Sequence, residues 1–80
     1  MPYRLRQLSG KQVISIFEKF GYTIKSQNGS HIKMKRWESR IIIIPNHQRI
    51  DKGTLKAIFN QALSVISENE IREHFYTSDN

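Results

Sequence analysis

The sequence predicts an α+β domain in which one helix is followed by a three-stranded antiparallel sheet, a second helix and a short C-terminal helix. Two segments, residues 13 to 20 and 55 to 63, carry apolar side chains at the spacing of one helical face. Between them lie three short segments with the alternation or the β-branched composition of strands. Because the connections between those strands are too short for parallel crossovers, the sheet is predicted to be antiparallel.

Capping residues set the predicted helix boundaries. Ser9 is a good N-cap and Gly21 a good residue just beyond a helix end, which predicts a first helix over residues 10 to 20. Asp51 predicts the start of the second helix in the same way. Residues 67 to 70 have the form of a capping box and predict a short acidic third helix, after which the chain is expected to fray from Tyr76.

The three strands are predicted over residues 22 to 27, 30 to 36 and 40 to 44. The pair Asn28-Gly29 is typical of a tight hairpin turn between the first two strands, and Pro45 ends the third. In the second strand, apolar and polar residues alternate and are expected on opposite faces of the sheet. The apolar set is Ile32 and Met34, and the polar set is His31, Lys33 and Lys35.

Four consecutive isoleucines, Ile41 to Ile44, form the third predicted strand. A sheet covered by helices on one face shows alternation, so this run implies apolar side chains on both faces. The third strand is also an edge, and an unpaired edge favours a partner protein. Ile42 and Ile44 are therefore predicted to contact a partner; the alternative is that Trp37 or the C-terminal segment covers the second face.

Trp37 itself has two interpretations. An aromatic ring at a strand end can stack on a base in single-stranded nucleic acid. A lone tryptophan at such a position more often covers the core, and the sequence favours that second interpretation.

The charge distribution indicates a polyanionic partner. The 80 residues make one predicted domain, 1 to 80, with a core over 8 to 66 and an acidic helix and tail over 67 to 80. Residues 1 to 66 carry twelve lysines and arginines against three acidic residues, whereas residues 67 to 80 carry one against four. A strongly basic body attracts nucleic acid at long range, although a merely solvated basic surface is the alternative.

Several classes of function are disfavoured. The chain has no cysteine, which excludes disulfides, thiolate nucleophiles and zinc sites of the cysteine type. No serine-hydrolase elbow is present, and the histidines lack metal-ligand spacing, so neither a metal nor another cofactor is expected. The longest aliphatic run is too short to span a bilayer, and no signal peptide is evident; a soluble, cytoplasmic protein without a membrane partner is expected.

The hairpin residues carry the candidate chemistry. His31 would transfer a proton, because imidazole exchanges protons near neutral pH and RNA supplies its own nucleophile, the 2′-hydroxyl. Lys33 and Lys35, with the backbone amides of Gly29 and Ser30, would hold the phosphate.

Three further residues are predicted to bind RNA outside the hairpin. His47 either supplies a second proton-transfer group or only shapes the site. Lys52 and Lys56 flank the start of the second helix, where the N–H groups near Gly53 and Thr54 would suit a phosphate.

The order helix, three strands, helix is that of double-stranded-RNA-binding domains, which read backbone shape. Four motifs add to this order, and their order and spacing together closely resemble the HicA mRNA interferase family over residues 8 to 66. The motifs are Leu8-Ser9-Gly10-Lys11, Gly29-Ser30-His31, Pro45-Asn46-His47 and Lys52-Gly53-Thr54-Leu55-Lys56-Ala57-Ile58. The chain departs from the family pattern after Leu63, where Ser64-Val65 replaces a glycine.

The resemblance implies a dsRBD-like fold and the toxin of a type II toxin–antitoxin system acting in stress response. It also implies metal-independent endonuclease cleavage of mRNA, a hydrolase activity with His31 as the catalytic histidine, and a HicB-type antitoxin that Ile42 and Ile44 are predicted to contact. Direct DNA binding is not expected except through the antitoxin complex. A non-catalytic RNA-binding module that uses the same basic face is the alternative function.

Overall fold

The computed structural model describes residues 3 to 78 as a three-stranded antiparallel sheet with helices on one face, beside a small two-stranded sheet. The elements in chain order are β1 (Tyr3–Leu5), α1 (Gly10–Lys19), β2 (Thr23–Asn28), β3 (His31–Lys35), β4 (Ile42–Pro45), α2 (Lys52–Ala62), α3 (Glu68–Phe75) and β5 (Tyr76–Ser78). The main sheet has the order β2-β3-β4, and β1 pairs with β5. The predicted α+β class, with a dsRBD-like order and a C-terminal helix, is confirmed.

Helix α1 begins and ends as its capping residues predict. The Ser9 hydroxyl accepts a hydrogen bond from the Gln12 N–H at 3.1 Å, and the Gln12 side chain accepts one from the Ser9 N–H at 2.8 Å. Gly21 follows the helix with a φ of 89°, a left-handed conformation that glycine adopts without a steric cost. Val13 and Phe17, one turn apart, are both 0% exposed and fix the inward face of the helix.

The register of the main sheet separates an apolar face from a polar one. Ile32 of β3 pairs with Ile44 of β4, and Met34 pairs with Ile42; all four side chains are buried beneath the helices. Both α1 and α2 contact β4 on this face. Since side chains alternate along a strand, the polar residues of β3 face away from the helices, as predicted.

Buried and exposed side chains alternate along the isoleucine run. Ile42 and Ile44 are 2% and 0% exposed, whereas Ile41 and Ile43 are 46% and 47% exposed. The prediction that Ile42 and Ile44 contact a partner is therefore wrong, because both side chains are core residues of the folded domain. β4 is an edge strand, as predicted, and Ile43 is the isoleucine that it presents on the open face.

Trp37 does not cover the core. It lies in the turn after β3 with a φ of 46° and is 82% exposed, and the Arg36 guanidinium lies 4.8 Å from its ring centroid. A tight turn, closed by a 2.8 Å hydrogen bond from the Ser39 N–H to the Arg36 carbonyl, holds this backbone. The prediction that Trp37 covers the core is wrong because the left-handed conformation within that turn leaves its side chain in solvent.

Helix α3 packs against the rest of the core. Ile71 and Phe75 of α3 are both 0% exposed, and the Phe75 ring packs against the rings of Phe17 and Phe59 at centroid distances of 6.2 and 5.5 Å. The inward faces of this helix match the prediction. Its capping box does not form, because the Ser67 hydroxyl donates to the Glu70 carboxylate at 2.9 Å instead of accepting from the backbone.

Residues that follow α3 form β5, so the predicted fraying from Tyr76 is wrong for residues 76 to 78. They pair antiparallel with β1, and the Arg6 N–H also donates to the Phe75 carbonyl at 2.8 Å. The backbone groups that would otherwise be exposed are thereby paired. Among the described residues, no helix has the length and apolar character needed to cross a membrane.

Candidate functional site

The β2–β3 hairpin presents His31 at the edge of the open face. Asn28 pairs with His31 across the turn, and Gly29 adopts a φ of 62°, which is the left-handed conformation that the tight turn requires. The Gln27 side chain donates to the Gly29 carbonyl at 3.0 Å and ties the turn to β2. The predicted Asn-Gly hairpin is confirmed, and the His31 side chain is exposed.

Lys33 and Lys35 continue the same row on β3. Successive side chains on one face of a strand are separated by about 7 Å, so the Lys33 side chain is the neighbour of His31 along the strand. Across the strands, Lys33 pairs with Ser26 of β2 and with Ile43 of β4, and no acidic residue stands opposite it. The open face therefore carries an imidazole and two ammonium groups without a compensating carboxylate in this row.

The loop after β4 meets the hairpin at the His31 end of the sheet. The Asn46 N–H donates to the Ser30 carbonyl at 2.6 Å, and His31 pairs with Pro45. His47, the residue after Asn46, is exposed in this loop. The structure thus brings His31 and His47, which are sixteen positions apart in sequence, to neighbouring segments at one end of the sheet.

Helix α1 holds that loop from the other side. The Gly10 N–H donates to the His47 carbonyl at 2.8 Å, and the Ile50 N–H donates to the Leu8 carbonyl at 2.9 Å. A Cβ atom on Gly10 would lie 2.5 Å from the Pro45 carbonyl oxygen and 2.6 Å from the Asn46 Cα. Only glycine permits this approach, so Gly10 fixes the distance between α1 and the loop.

The predicted lysines of α2 lie apart from the hairpin group. Lys52 and Lys56 are exposed on a helix that packs against the face of the sheet opposite to Lys33 and Lys35. Lys52 lines a cleft of about 220 Å³ together with Arg6 and Arg49. The structure therefore separates the predicted RNA-binding lysines into two groups.

The N-terminus of α2 is occupied by its own cap. The Thr54 hydroxyl and the Thr54 N–H donate to the Asp51 carboxylate at 2.8 and 3.0 Å, and these hydrogen bonds lower the pKa of Asp51 from its usual value. The ionised carboxylate caps the helix in the position that an anion would take. This arrangement disfavours the phosphate that the sequence predicts near Gly53 and Thr54.

The structure adds residues that the sequence analysis did not assign to the site. Lys11 and Ser9, at the start of α1, line a cleft of about 340 Å³ together with Asn46, His47 and Gln48. Lys11 belongs to the first of the four sequence motifs, which was the available signal for it. Asn46 and Gln48 flank His47, but only the folded loop shows that they share one cleft with Lys11.

The described residues hold no group of three or more histidine, aspartate or glutamate side chains placed to bind a metal ion. His74, the third histidine, lies in α3 with its ring against that of Phe20 at a centroid distance of 5.5 Å. His74 thus lies away from the hairpin, whereas the exposed His31 and His47 lie in the hairpin and in the loop bonded to it.

Comparison with known proteins identifies the family. A family model described as the HicA toxin of bacterial toxin–antitoxin matches residues 10 to 63, about two thirds of the chain. The matched range runs from the start of α1 to the end of α2 and includes the hairpin and the loop that holds His47. No curated protein matches the chain, and no solved structure does. On the match to the family model, the chain belongs to the family of HicA toxins of bacterial toxin–antitoxin systems.

Proposed function

We propose that this toxin is an endoribonuclease that cuts mRNA, with His31 as the group that transfers the proton. The observation that carries the proposal is the exposed imidazole of His31, presented by a tight hairpin in one row with Lys33 and Lys35. The membership in a toxin family supports it independently. A substrate with a continuous phosphate backbone suits a face on which cations follow one another along a strand.

The reaction needs little covalent chemistry from the protein. The 2′-oxygen of one ribose attacks the adjacent phosphorus, and the bond from phosphorus to the 5′-oxygen of the next nucleotide breaks. The products are a 2′,3′-cyclic phosphate and a 5′-hydroxyl. His31 would accept the proton of the 2′-hydroxyl or return a proton to the leaving 5′-oxygen, and a positioned acid or base of this kind contributes about 10² to 10⁴ in rate.

Charge stabilisation would come from the same hairpin. The ammonium groups of Lys33 and Lys35 can approach the non-bridging phosphate oxygens, with the Gly29 and Ser30 backbone amides at the turn. One imidazole does not readily remove one proton and deliver another at the same moment. His47 is the candidate for the second role, because its loop is hydrogen-bonded to the residue that precedes His31.

A cleavage assay in the presence of EDTA tests the activity. Purified toxin, free of antitoxin, should cut a messenger transcript into fragments that end in a 2′,3′-cyclic phosphate and a 5′-hydroxyl. The fragment ends are measured by phosphatase sensitivity and by labelling of the 5′-hydroxyl with a kinase. Retention of intact RNA that weakens with added salt, without cutting, would instead identify a non-catalytic RNA-binding module.

For the antitoxin, we propose a contact at Ile43 on the β4 edge and at Ile41, which immediately precedes β4. These side chains are about half exposed, and the unpaired edge of β4 can accept an additional strand. Ile43 is the register partner of Lys33. A HicB-type antitoxin that covers Ile43 would also cover Lys33 and the approach to His31, so binding and inhibition would occur on one surface.

Replacing Ile41 and Ile43 together by threonine should weaken the antitoxin complex at least tenfold. Threonine keeps the β-branched shape that a strand prefers and removes apolar contact area. The measurement is a titration of purified toxin with its antitoxin. Ile24→Thr is the matched control, because Ile24 is 48% exposed on β2 at the other edge of the sheet. An unchanged affinity of the double variant would place the antitoxin elsewhere.

A further inference from the structure

The cleft between the start of α1 and the loop of residues 46 to 48 contributes only His47 to the proposed reaction, and its other lining residues have no role there. Its lining residues are Ser9, Lys11, Asn46, His47 and Gln48, and its volume is about 340 Å³. This volume is at the lower end of the range found for small-molecule sites, about 300 to 1,000 Å³. The cleft is therefore of a size for one nucleotide unit.

The position of this cleft relates it to the hairpin. Its Asn46 side is fixed to the hairpin by the 2.6 Å hydrogen bond to the Ser30 carbonyl, and its His47 side is fixed to α1 by the bond from the Gly10 N–H. His31 pairs with Pro45, and the cleft is lined from the next residue, Asn46. The cleft is therefore within reach of a nucleotide adjacent to a phosphate held at His31.

The lining groups suit a base and its phosphate. Asn46 and Gln48 are exposed, and each carries a side-chain amide that can donate and accept at once. Lys11 adds a cation, and the lining contains no acidic residue. Amide side chains pair with two edge atoms of adenine, one donor and one acceptor, as a recurring mode of base recognition.

We propose that this cleft binds the base of a nucleotide next to the scissile phosphate, and that Asn46 and Gln48 make adenine the preferred base there. Lys11 contacts the phosphate of that nucleotide. Unpaired bases in single-stranded RNA expose the edges that such amides read. This specificity site rests on the proposed cleavage of RNA for its role in the reaction, but its binding preference can be measured separately.

The test uses His31→Ala protein, which is expected to cut RNA too slowly to consume it during the measurement, and four single-stranded RNA tetranucleotides. The tetranucleotides are all-uridine except for one internal position, which is adenosine, cytidine, guanosine or uridine. Fluorescence anisotropy gives the affinity for each. The adenosine oligonucleotide should bind about 5- to 100-fold more tightly than the other three. Adding Asn46→Ala and Gln48→Ala should bring the four affinities within about twofold of one another.

The matched control adds Asn60→Ala and Gln61→Ala to His31→Ala protein. These changes remove one asparagine and one glutamine side chain from the exposed surface of α2 and should leave the preference for adenosine intact. Lys11→Met should lower the affinity for all four oligonucleotides by a similar factor, as expected for a contact to phosphate. Equal binding of the four oligonucleotides by His31→Ala protein, or a preference that survives the loss of Asn46 and Gln48, overturns the proposal. An adenine preference in a toxin that cuts no RNA would refute the nuclease function and leave this site standing.

Discussion

Replacing His31 by alanine is expected to lower the rate of RNA cleavage by a factor of about 10² to 10⁴, while leaving RNA binding within a few-fold of the unmodified toxin. The imidazole is the proton-transfer group in the proposed reaction, and removing such a group costs a factor of this size. Affinity should change little because Lys33 and Lys35, the proposed phosphate contacts, remain in place. Single-turnover cleavage of a labelled transcript measures the rate, and filter binding at matched salt measures the affinity.

A purely structural role for His31 predicts that its loss lowers the melting temperature. We expect instead that the melting temperature stays nearly unchanged, because the side chain is exposed at the first residue of β3. Added imidazole should restore part of the lost rate if a proton carrier is missing, and should do nothing if the hairpin has rearranged. Cleavage by His31→Ala protein at the unmodified rate removes this residue from the mechanism. The variant His47→Ala, measured in parallel, shows whether the second histidine also transfers a proton.

The variant Ile44→Ala should lower the free energy of unfolding by about 2 to 5 kcal/mol, the range found when a buried isoleucine is cut back to alanine. Ile44 is 0% exposed and lies opposite Ile32 in the core beneath the helices. Ile43→Ala is the matched control: the same substitution one position earlier, at 47% exposure, should cost less than about 1 kcal/mol. Urea denaturation of both variants at pH 7 gives the two values.

An equal decrease in the free energy of unfolding in Ile44→Ala and Ile43→Ala would contradict the register in which Ile44 faces the helices. The reverse order, with Ile43→Ala the more damaging, would mean that the open face of the sheet is covered in the isolated toxin. The pair also separates stability from partner binding, since Ile43 is exposed and available to the antitoxin whereas Ile44 is not.

The sequence predicted the fold well wherever a local rule determines the structure. Ser9 and Gln12 cap α1 within one turn, Gly21 ends it, and the Asn28-Gly29 turn closes the hairpin. Each of these features depends on residues at most three positions apart, so it can be recognised from the sequence alone. The alternation of polar and apolar residues along β3 then sets which face carries His31.

The isoleucine run shows where such a rule fails. Four identical side chains carry no alternation, so the sequence analysis chose the wrong pair, Ile42 and Ile44, for the contact with a partner. The register against β3 decides between the two pairs, since Ile32 and Met34 bring Ile44 and Ile42 to the core side. That information lies in the neighbouring strand rather than in the run itself.

The candidate site was predicted only in part for a similar reason. The hairpin supplied His31, Lys33 and Lys35 as one local group. The cleft joins residues near positions 10 and 47 through the hydrogen bond from Gly10 to His47, and no periodicity connects such distant segments. Trp37 was misplaced because its left-handed backbone conformation is uncommon outside glycine and is set by the turn that contains it.

The burial of Phe75 and Ile71 has a consequence for how the toxin is made. Phe75 packs between Phe17 of α1 and Phe59 of α2. The hydrophobic core is therefore incomplete until residue 75 has been synthesised. Domains generally fold as units. A growing chain on the ribosome therefore completes this apolar interior only after α3 has been synthesised.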